Sequence, residues 1–220
     1  MRIVITSDIH IGSRHCRRDA FLHFLEVLPD DASLVLNGDS VNRPDAPLCP
    51  EDQRVIDTLV KRAAKTPVIW VWGNHDDGYR VPGETNIRYQ SSFAVGNRLF
   101  AAHGHEFDDV MPRHQFFMRC FRHLHRIRVT LGAPPVHVAQ YAKKWSLLFN
   151  YLRRNVRRAA VAYAKRHGYS AVACGHVHWE EDSTEEEIRY LNTGAWTEEH
   201  ACCILVDEND ISLIDADRFA

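Results

Sequence analysis

The chain has 220 residues, 45% hydrophobic and 25% charged, with a net charge of −2; this is the composition of a soluble globular protein, long enough for one domain with a full core or a domain carrying a sizeable insertion. No apolar run approaches the roughly 18 residues of a membrane span, and Met1-Arg2-Ile3-Val4-Ile5 leads into a strand with no signal-peptide pattern, so the expected location is cytoplasmic. The six cysteines show no Cys-x-x-Cys spacing and Cys202 adjoins Cys203, which argues against a zinc finger and a disulfide framework.

Arg2 to Thr6 reads as a first strand, ending in Ser7-Asp8-Ile9-His10. Arg18 to Leu28 has apolar residues at helix spacing and stops at Pro29. Ser33 to Leu36 is the next strand, followed by Asn37-Gly38-Asp39-Ser40. A loop marked by Pro44, Pro47 and Pro50 leads to a helix over Glu51 to Lys65. Pro67 to Trp72 is a buried strand ending in Gly73-Asn74-His75-Asp76-Asp77-Gly78. Strands are expected at Asn86 to Phe93 and Arg98 to Ala102, the second running into His103-Gly104-His105-Glu106. From Met111 to His167 the pattern is helical, clearest over Tyr151 to His167, where Leu152, Val156 and Tyr163 mark one face and Arg153, Arg154, Arg157 and Arg158 lie away from it. Ala171 to Cys174 is a strand that runs into Gly175-His176-Val177-His178, and Ile188 to Leu191, Ala201 to Val206 and Ile211 to Ile214 close the sheet. Strands alternating with helices make the fold class α/β.

Five strands thus end in polar clusters: Asp8 with His10, Asp39, Asn74 with His75 and Asp76, His103, and His176 with His178. Each alone is a weak signal. Together they belong at the strand-end rim where open α/β folds keep their sites. Asp8, His10, Asp39, Asn74, His103, His176 and His178 exceed what one tetrahedral zinc needs, so two divalent ions are expected. A nitrogen and oxygen donor set without thiolate suits Mn²⁺ first, with Fe or Zn²⁺ as alternatives. Asp39 is the candidate bridge between the ions, and a water held by both would be an attacking group for a phosphorus centre.

Asp8-x-His10, Gly38-Asp39, Gly73-Asn74-His75-Asp76, His103 and Gly175-His176-x-His178 resemble, in order and spacing, the motif set of the calcineurin-like metallophosphoesterases. The resemblance implies a four-layer sandwich of two central mixed sheets flanked by helices. It also implies one metal held by Asp8, His10, Asp39 and His178, and another by Asp39, Asn74, His103 and His176. His75 is implied to meet the phosphate or protonate the leaving oxygen, with Asp76 orienting it. Ser7-Asp8-Ile9-His10-Ile11-Gly12-Ser13-Arg14, His103-Gly104-His105-Glu106-Phe107-Asp108 and Tyr190-Leu191-Asn192-Thr193-Gly194-Ala195-Trp196 are similar to the UDP-2,3-diacylglucosamine pyrophosphatases of lipid A biosynthesis. The chain departs from that group at His75, usually Arg, at His105, usually Asp, and at Ala195, often Asp.

Between Val110 and Trp179 there are thirteen Lys or Arg and no Asp or Glu. The helical stretch at about 108–169 is therefore expected to be a basic insertion with an anionic partner. Its basic heads, above Phe116, Phe117, Phe121, Trp145, Leu147, Leu148 and Phe149, suit a lipid-linked nucleotide substrate or peripheral contact with an anionic membrane, and less well nucleic acid. Packing on the core is the plainer role for most of these aromatics. Arg80 and Arg14 are the candidate substrate contacts. The functional expectation is a dinuclear metal-dependent phosphoesterase, most plausibly a pyrophosphatase. The alternatives are a phosphodiesterase or nuclease, and a scaffold without catalysis.

Overall fold

A computed structural model describes residues 2–110, 123–124, 126–133, 143 and 146–216. Two mixed sheets pack face to face between helices. In the first, β1 (Arg2–Thr6), β2 (Ala32–Asn37), β3 (Val68–Val71) and β4 (Arg88–Gln90) run parallel. In the second, β5 (Phe93–Val95) pairs antiparallel with β6 (Leu99–Ala101), which runs parallel to β7 (Ala171–Cys174). That sheet continues through β9 (Ile188–Thr193) to β8 (Glu180–Glu185). Antiparallel β10 (Cys202–Val206) and β11 (Ile211–Asp215) complete the first sheet beside β1, giving the orders β11-β10-β1-β2-β3-β4 and β5-β6-β7-β9-β8.

Strand alternation explains the layers. Ile3, Ile5, Val35, Ile69 and Val71 face Leu99, Ala101, Ala171, Ala173 and Leu191 between the sheets. The intervening Val4, Leu34, Leu36, Val68 and Trp70 point the other way, onto α1 (Arg18–Val27) and α2 (Pro50–Ala63). On the far side, Phe100, Val172 and Tyr190 meet Ala160, Val161 and Ala164 of α3 (Ser146–His167). Both faces of the central strands are covered, so they read as continuous apolar runs although their side chains still alternate.

The expected strand over Asn86 to Phe93 is two strands. β4 belongs to the first sheet and β5 to the second, with Ser91 and Ser92 as the crossover. β8, Glu-Glu-Asp-Ser-Thr-Glu, was not expected as a strand at all. It forms a hairpin with β9 whose two turn residues, Glu186 and Glu187, both have positive φ (50° and 67°). That geometry usually recruits Asn-Gly, so the acidic pair hides the turn.

β8 also supplies partners for the basic helix. Arg157 donates to Glu181 and Glu185 at 2.7 Å each, Arg153 lies 3.6 Å from Glu181, and Arg158 lies 3.7 Å from Glu185. Three of the arginines expected to seek an outside anion therefore meet carboxylates of the chain itself. Phe116, Phe117, Phe121 and Trp145 lie outside the described residues. Phe149 is buried against Trp179, whereas Leu147 is 88% exposed. No helix among the described residues is long and apolar enough to cross a membrane.

Candidate metal centre

The polar loops follow the C-terminal ends of β1, β2 and β3 in one sheet and of β6 and β7 in the other. Face-to-face packing brings the two sets together. The loops continue the parallel ladder past the strands: the Asp8 amide donates to the Gly38 carbonyl at 3.0 Å, and the His10 amide to the Asp39 carbonyl at 2.9 Å. Across the sheets, Asn37 Nδ2 donates to the Ala102 carbonyl at 3.0 Å, and the His176 amide donates to Asp8 Oδ2 at 3.1 Å. Asp8, His10, Asp39, His176 and His178 all have φ between 52° and 66°, the left-handed region. Asp and His tolerate it better than most side chains, yet each such residue costs about 1–3 kcal/mol, so the surrounding packing holds a backbone the loops would not choose.

Asp8, His10 and His178 form one group whose ligand atoms lie within 4.8 Å of one another, and Asp8, Asp39 and His103 form another. His178 Nε2 is 3.2 Å from Asp8 Oδ1 and 3.1 Å from His10 Nε2. His103 Nε2 is 3.3 Å from Asp39 Oδ2, and His10 Nε2 is 3.8 Å from Asp8 Oδ1 and 3.9 Å from Asp39 Oδ2. Asn74 and His176 stand one layer out: Asn74 Oδ1 is 3.1 Å from His176 Nδ1, and the His176 ring lies 5.5 Å from that of His103. His176 Nε2 also meets Asp108 Oδ2 at 2.9 Å. Asp108, nearly buried after a single 3-10 turn at His105–Phe107, was quoted in the sequence only as part of a motif. Its place two residues beyond a polar run gave no separate signal.

The arrangement suits divalent ions. His103 Nδ1 donates to the Asn37 carbonyl at 3.0 Å, which leaves Nε2 as the ligating atom, and that buried atom has no hydrogen-bond partner. Asp8 Oδ2 accepts from Ser7 Oγ, which in turn lies 2.7 Å from Thr193 Oγ1. Burial favours the neutral acid for Asp8, but the His103 and His178 imidazoles outweigh it and lower its pKa to about 2; the same contest, led by His103, keeps Asp39 well below the carboxylate range. Burial first, then His178, lowers His10 to about 3. The chain therefore presents ionised carboxylates and, at His10, a neutral imidazole, the forms that bind metal, while the same carboxylates hold His103 protonated until a metal takes the proton's place. Three glycines are required by crowding: a Cβ at Gly38 would overlap the His103 side chain, one at Gly73 the Asp39 carboxylate, and one at Gly175 Asp8 and Ser7.

His75 stands at the open rim, 42% exposed, with Nε2 3.9 Å from Asp39 Oδ2. Its Nδ1 faces the Asn42 carbonyl at 3.1 Å, not Asp76. Asp76 is fully buried and accepts from the amides of Gly73, Ser40 and Val41 at 2.7, 2.8 and 3.3 Å and from Trp70 Nε1 at 3.0 Å. The expectation that Asp76 orients His75 is corrected by these contacts: Asp76 ties the loops after β2 and β3 together, and a main-chain carbonyl positions the imidazole. Arg14 is exposed and directs Nε to His15 Nε2 at 3.1 Å. Arg80 lies over the rings of Tyr89 and Trp72. His105, half-buried, has its ring 5.5 Å from that of His103, and Ala195 lines a cavity of about 190 Å³ with His178, Lys143 and Trp179.

Two apposed mixed sheets whose strand ends converge on Asp and His define a metallophosphoesterase architecture. The chain belongs to the calcineurin-like phosphoesterase family, whose model matches residues 1–180. No curated protein matches it. Among solved structures it is similar to Yfce, a phosphoesterase from E. coli (18% identity, TM-score 0.51), over 100% of this chain and 96% of that one. It is also similar to Vacuolar Protein Sorting 29 from Cryptosporidium parvum (10% identity, TM-score 0.52), over 97% and 95%. These likenesses establish the shared fold.

Proposed function

We propose that the chain is a metal-dependent hydrolase of phosphoester or phosphoanhydride bonds, with a nucleotide-diphosphate sugar lipid of the UDP-2,3-diacylglucosamine type as its leading substrate class. The observation that carries the reaction type is the convergence of Asp8, His10, Asp39, His103 and His178, from both sheets, into one buried cluster. Divalent ions bound there would supply an activated water and neutralise charge on the phosphoryl oxygens. Asp39 is held by the His75 amide at 2.8 Å, so one oxygen is fixed by the backbone and the other faces the imidazoles. His75, with Nδ1 on a carbonyl, presents Nε2 to a bound phosphoester, where it can hydrogen-bond a phosphoryl oxygen or give a proton to the leaving oxygen.

The lipid-sugar class is supported by the cavity beside His178. Trp179 gives that cavity an apolar wall beside His178; Lys143 Nζ and the Arg153 guanidinium lie 5.5 and 5.1 Å from its ring and are paired with Glu198 and Glu181 at 3.2 and 3.6 Å. His75, His105 and Ala195, the departures from the lipid A enzymes, all adjoin this cluster, where they would alter substrate choice before metal binding. Parallel assays with Mn²⁺, one with acylated UDP-glucosamine and one with single-stranded DNA, test the class. Release of UMP is the expected result; cleavage of DNA alone would replace this substrate reading with a nuclease.

A further inference from the structure

Arg80 is a cation that the metal cluster does not explain. Its guanidinium carbon is 4.8 Å from the centroid of the Tyr89 ring and 5.6 Å from that of Trp72, and those two rings stack 6.2 Å apart at 18°. The placement is built by the backbone. The Trp72 amide extends the β3–β4 ladder to the Gln90 carbonyl at 3.1 Å, while Trp72 Nε1 donates to the Tyr79 carbonyl at 2.9 Å. The chain is thereby folded back so that Arg80 returns above the ring it left. On the other side, the Val81 amide donates to the Tyr89 hydroxyl at 2.9 Å.

The guanidinium itself is unspent. Among the described residues it makes no ion pair and no hydrogen bond, and it is exposed. A guanidinium resting over rings has lost much of its freedom already, yet its N–H donors have no acceptor among the described residues and keep the fork that matches a phosphate. Arg80 lines a cavity of about 590 Å³ with Thr85, Asn86, Tyr89 and Glu84; Glu84 does not pair with it. That volume is of the size that holds small ligands. Trp72 precedes Asn74 by two residues, so their Cα atoms are at most about 7 Å apart and the backbone under the platform leads directly into the loop that carries Asn74 and His75.

We propose that the Trp72–Arg80–Tyr89 platform binds a second anionic group of the substrate. The substrate class is then a phosphoester or phosphoanhydride bearing a further phosphate besides the reacting one. This rests on the hydrolase reading above. A cavity lined by the Tyr89 ring and a cation with no acceptor among the described residues has no use for a substrate with a single phosphorus and small neutral arms.

The test compares three substrates of the Mn²⁺-loaded protein: bis(4-nitrophenyl) phosphate with one phosphate, a nucleoside-diphosphate sugar, and a 5′-phosphorylated dinucleotide. Arg80→Ala should lower kcat/KM about ten- to a hundredfold on substrates with a second phosphate, chiefly through KM, and at least about tenfold less on the bis-aryl ester. Arg80→Lys should recover part of the loss. Equal losses on all three, or no loss, overturn the proposal. A larger effect on the sugar nucleotide places the second phosphate in an anhydride, and a larger effect on the dinucleotide places it along a strand. Binding of inorganic pyrophosphate, followed by Trp fluorescence, separates the two claims. If the wild type hydrolyses none of the three while Arg80→Ala weakens pyrophosphate binding about tenfold, the hydrolase reading fails and the anion site stands; equal binding by both proteins removes the site.

Discussion

The His75 amide donates to Asp39 Oδ1 at 2.8 Å, and this bond decides where the other oxygen of Asp39 points. Oδ2 is left facing His103, His10 and His75, at 3.3, 3.9 and 3.9 Å. One loop thus sets the ligand that another loop supplies. The same two loops are clamped from behind by Asp76, so the rim residue His75 and the buried Asp39 move as one unit.

Asp76→Ala strands four donors in a dry environment. Each unsatisfied buried donor costs on the order of 1–3 kcal/mol, so a total loss of about 3 kcal/mol or more is expected. Chemical denaturation measures it. A stability change under about 0.5 kcal/mol, with catalysis lost, would return Asp76 to a direct catalytic role.

His75→Ala should lower kcat on a bis-aryl phosphate about 10²–10⁴-fold, the range for losing a positioned acid or base, and leave the bound metal per chain unchanged. Steady-state kinetics together with metal analysis checks both halves. Loss of metal in this variant would make His75 a ligand, as its proximity to His10 and Asp39 would allow.

Metal uptake should release a proton from His103. Burial alone would lower its pKa, but the Asp39 and Asp8 carboxylates overcome that and raise it to about 10 in the metal-free chain, from 6.5. The sign follows: this charge stabilises the metal-free fold fully below about 6.5, and the contribution is lost as pH rises through about 10. A ligating imidazole is neutral, so Mn²⁺ binding near neutral pH expels the proton and apparent affinity climbs with pH. Calorimetric titration in buffers of different ionisation enthalpy reads the release. Identical heats in every buffer would contradict it.

Gly175→Ala should weaken metal binding about 10–100-fold by pushing Asp8 and Ser7 from their places, with the β7 strand and the core intact. Circular dichroism and a metal titration on the same sample separate the two. Unchanged affinity would show that Asp8 has room to shift.

Much of the centre was legible because polar residues recur after apolar runs: the strand ends at Thr6, Asn37, Val71, Ala101 and Cys174 each hand over directly to a cluster. The α/β alternation and the sandwich expected from the family resemblance are both present. Other features left no mark. β8 is an acidic edge strand whose neighbours are arginines, and its turn is Glu-Glu, so neither apolar alternation nor turn chemistry betrays it. The Asp108 contact with His176 is set by tertiary packing. Asp76 resembles a catalytic carboxylate in sequence because nothing there reveals that four donors already claim it. Arg153, Arg157 and Arg158 read as part of a surface for a partner, since their pairing with Glu181 and Glu185 spans about two dozen residues of chain or more.

The most direct measurement is the metal content of purified protein loaded with Mn²⁺, for the wild type and for Asp39→Asn, with hydrolysis of bis(4-nitrophenyl) phosphate followed on the same samples. Asparagine keeps an oxygen to accept from the His75 amide but removes the charge between the two clusters. The wild type should hold about two ions per chain and turn over, while Asp39→Asn should hold fewer than about one and lose at least ~10²-fold in rate. Two ions and full turnover in Asp39→Asn would contradict the assignment of this cluster as the metal centre.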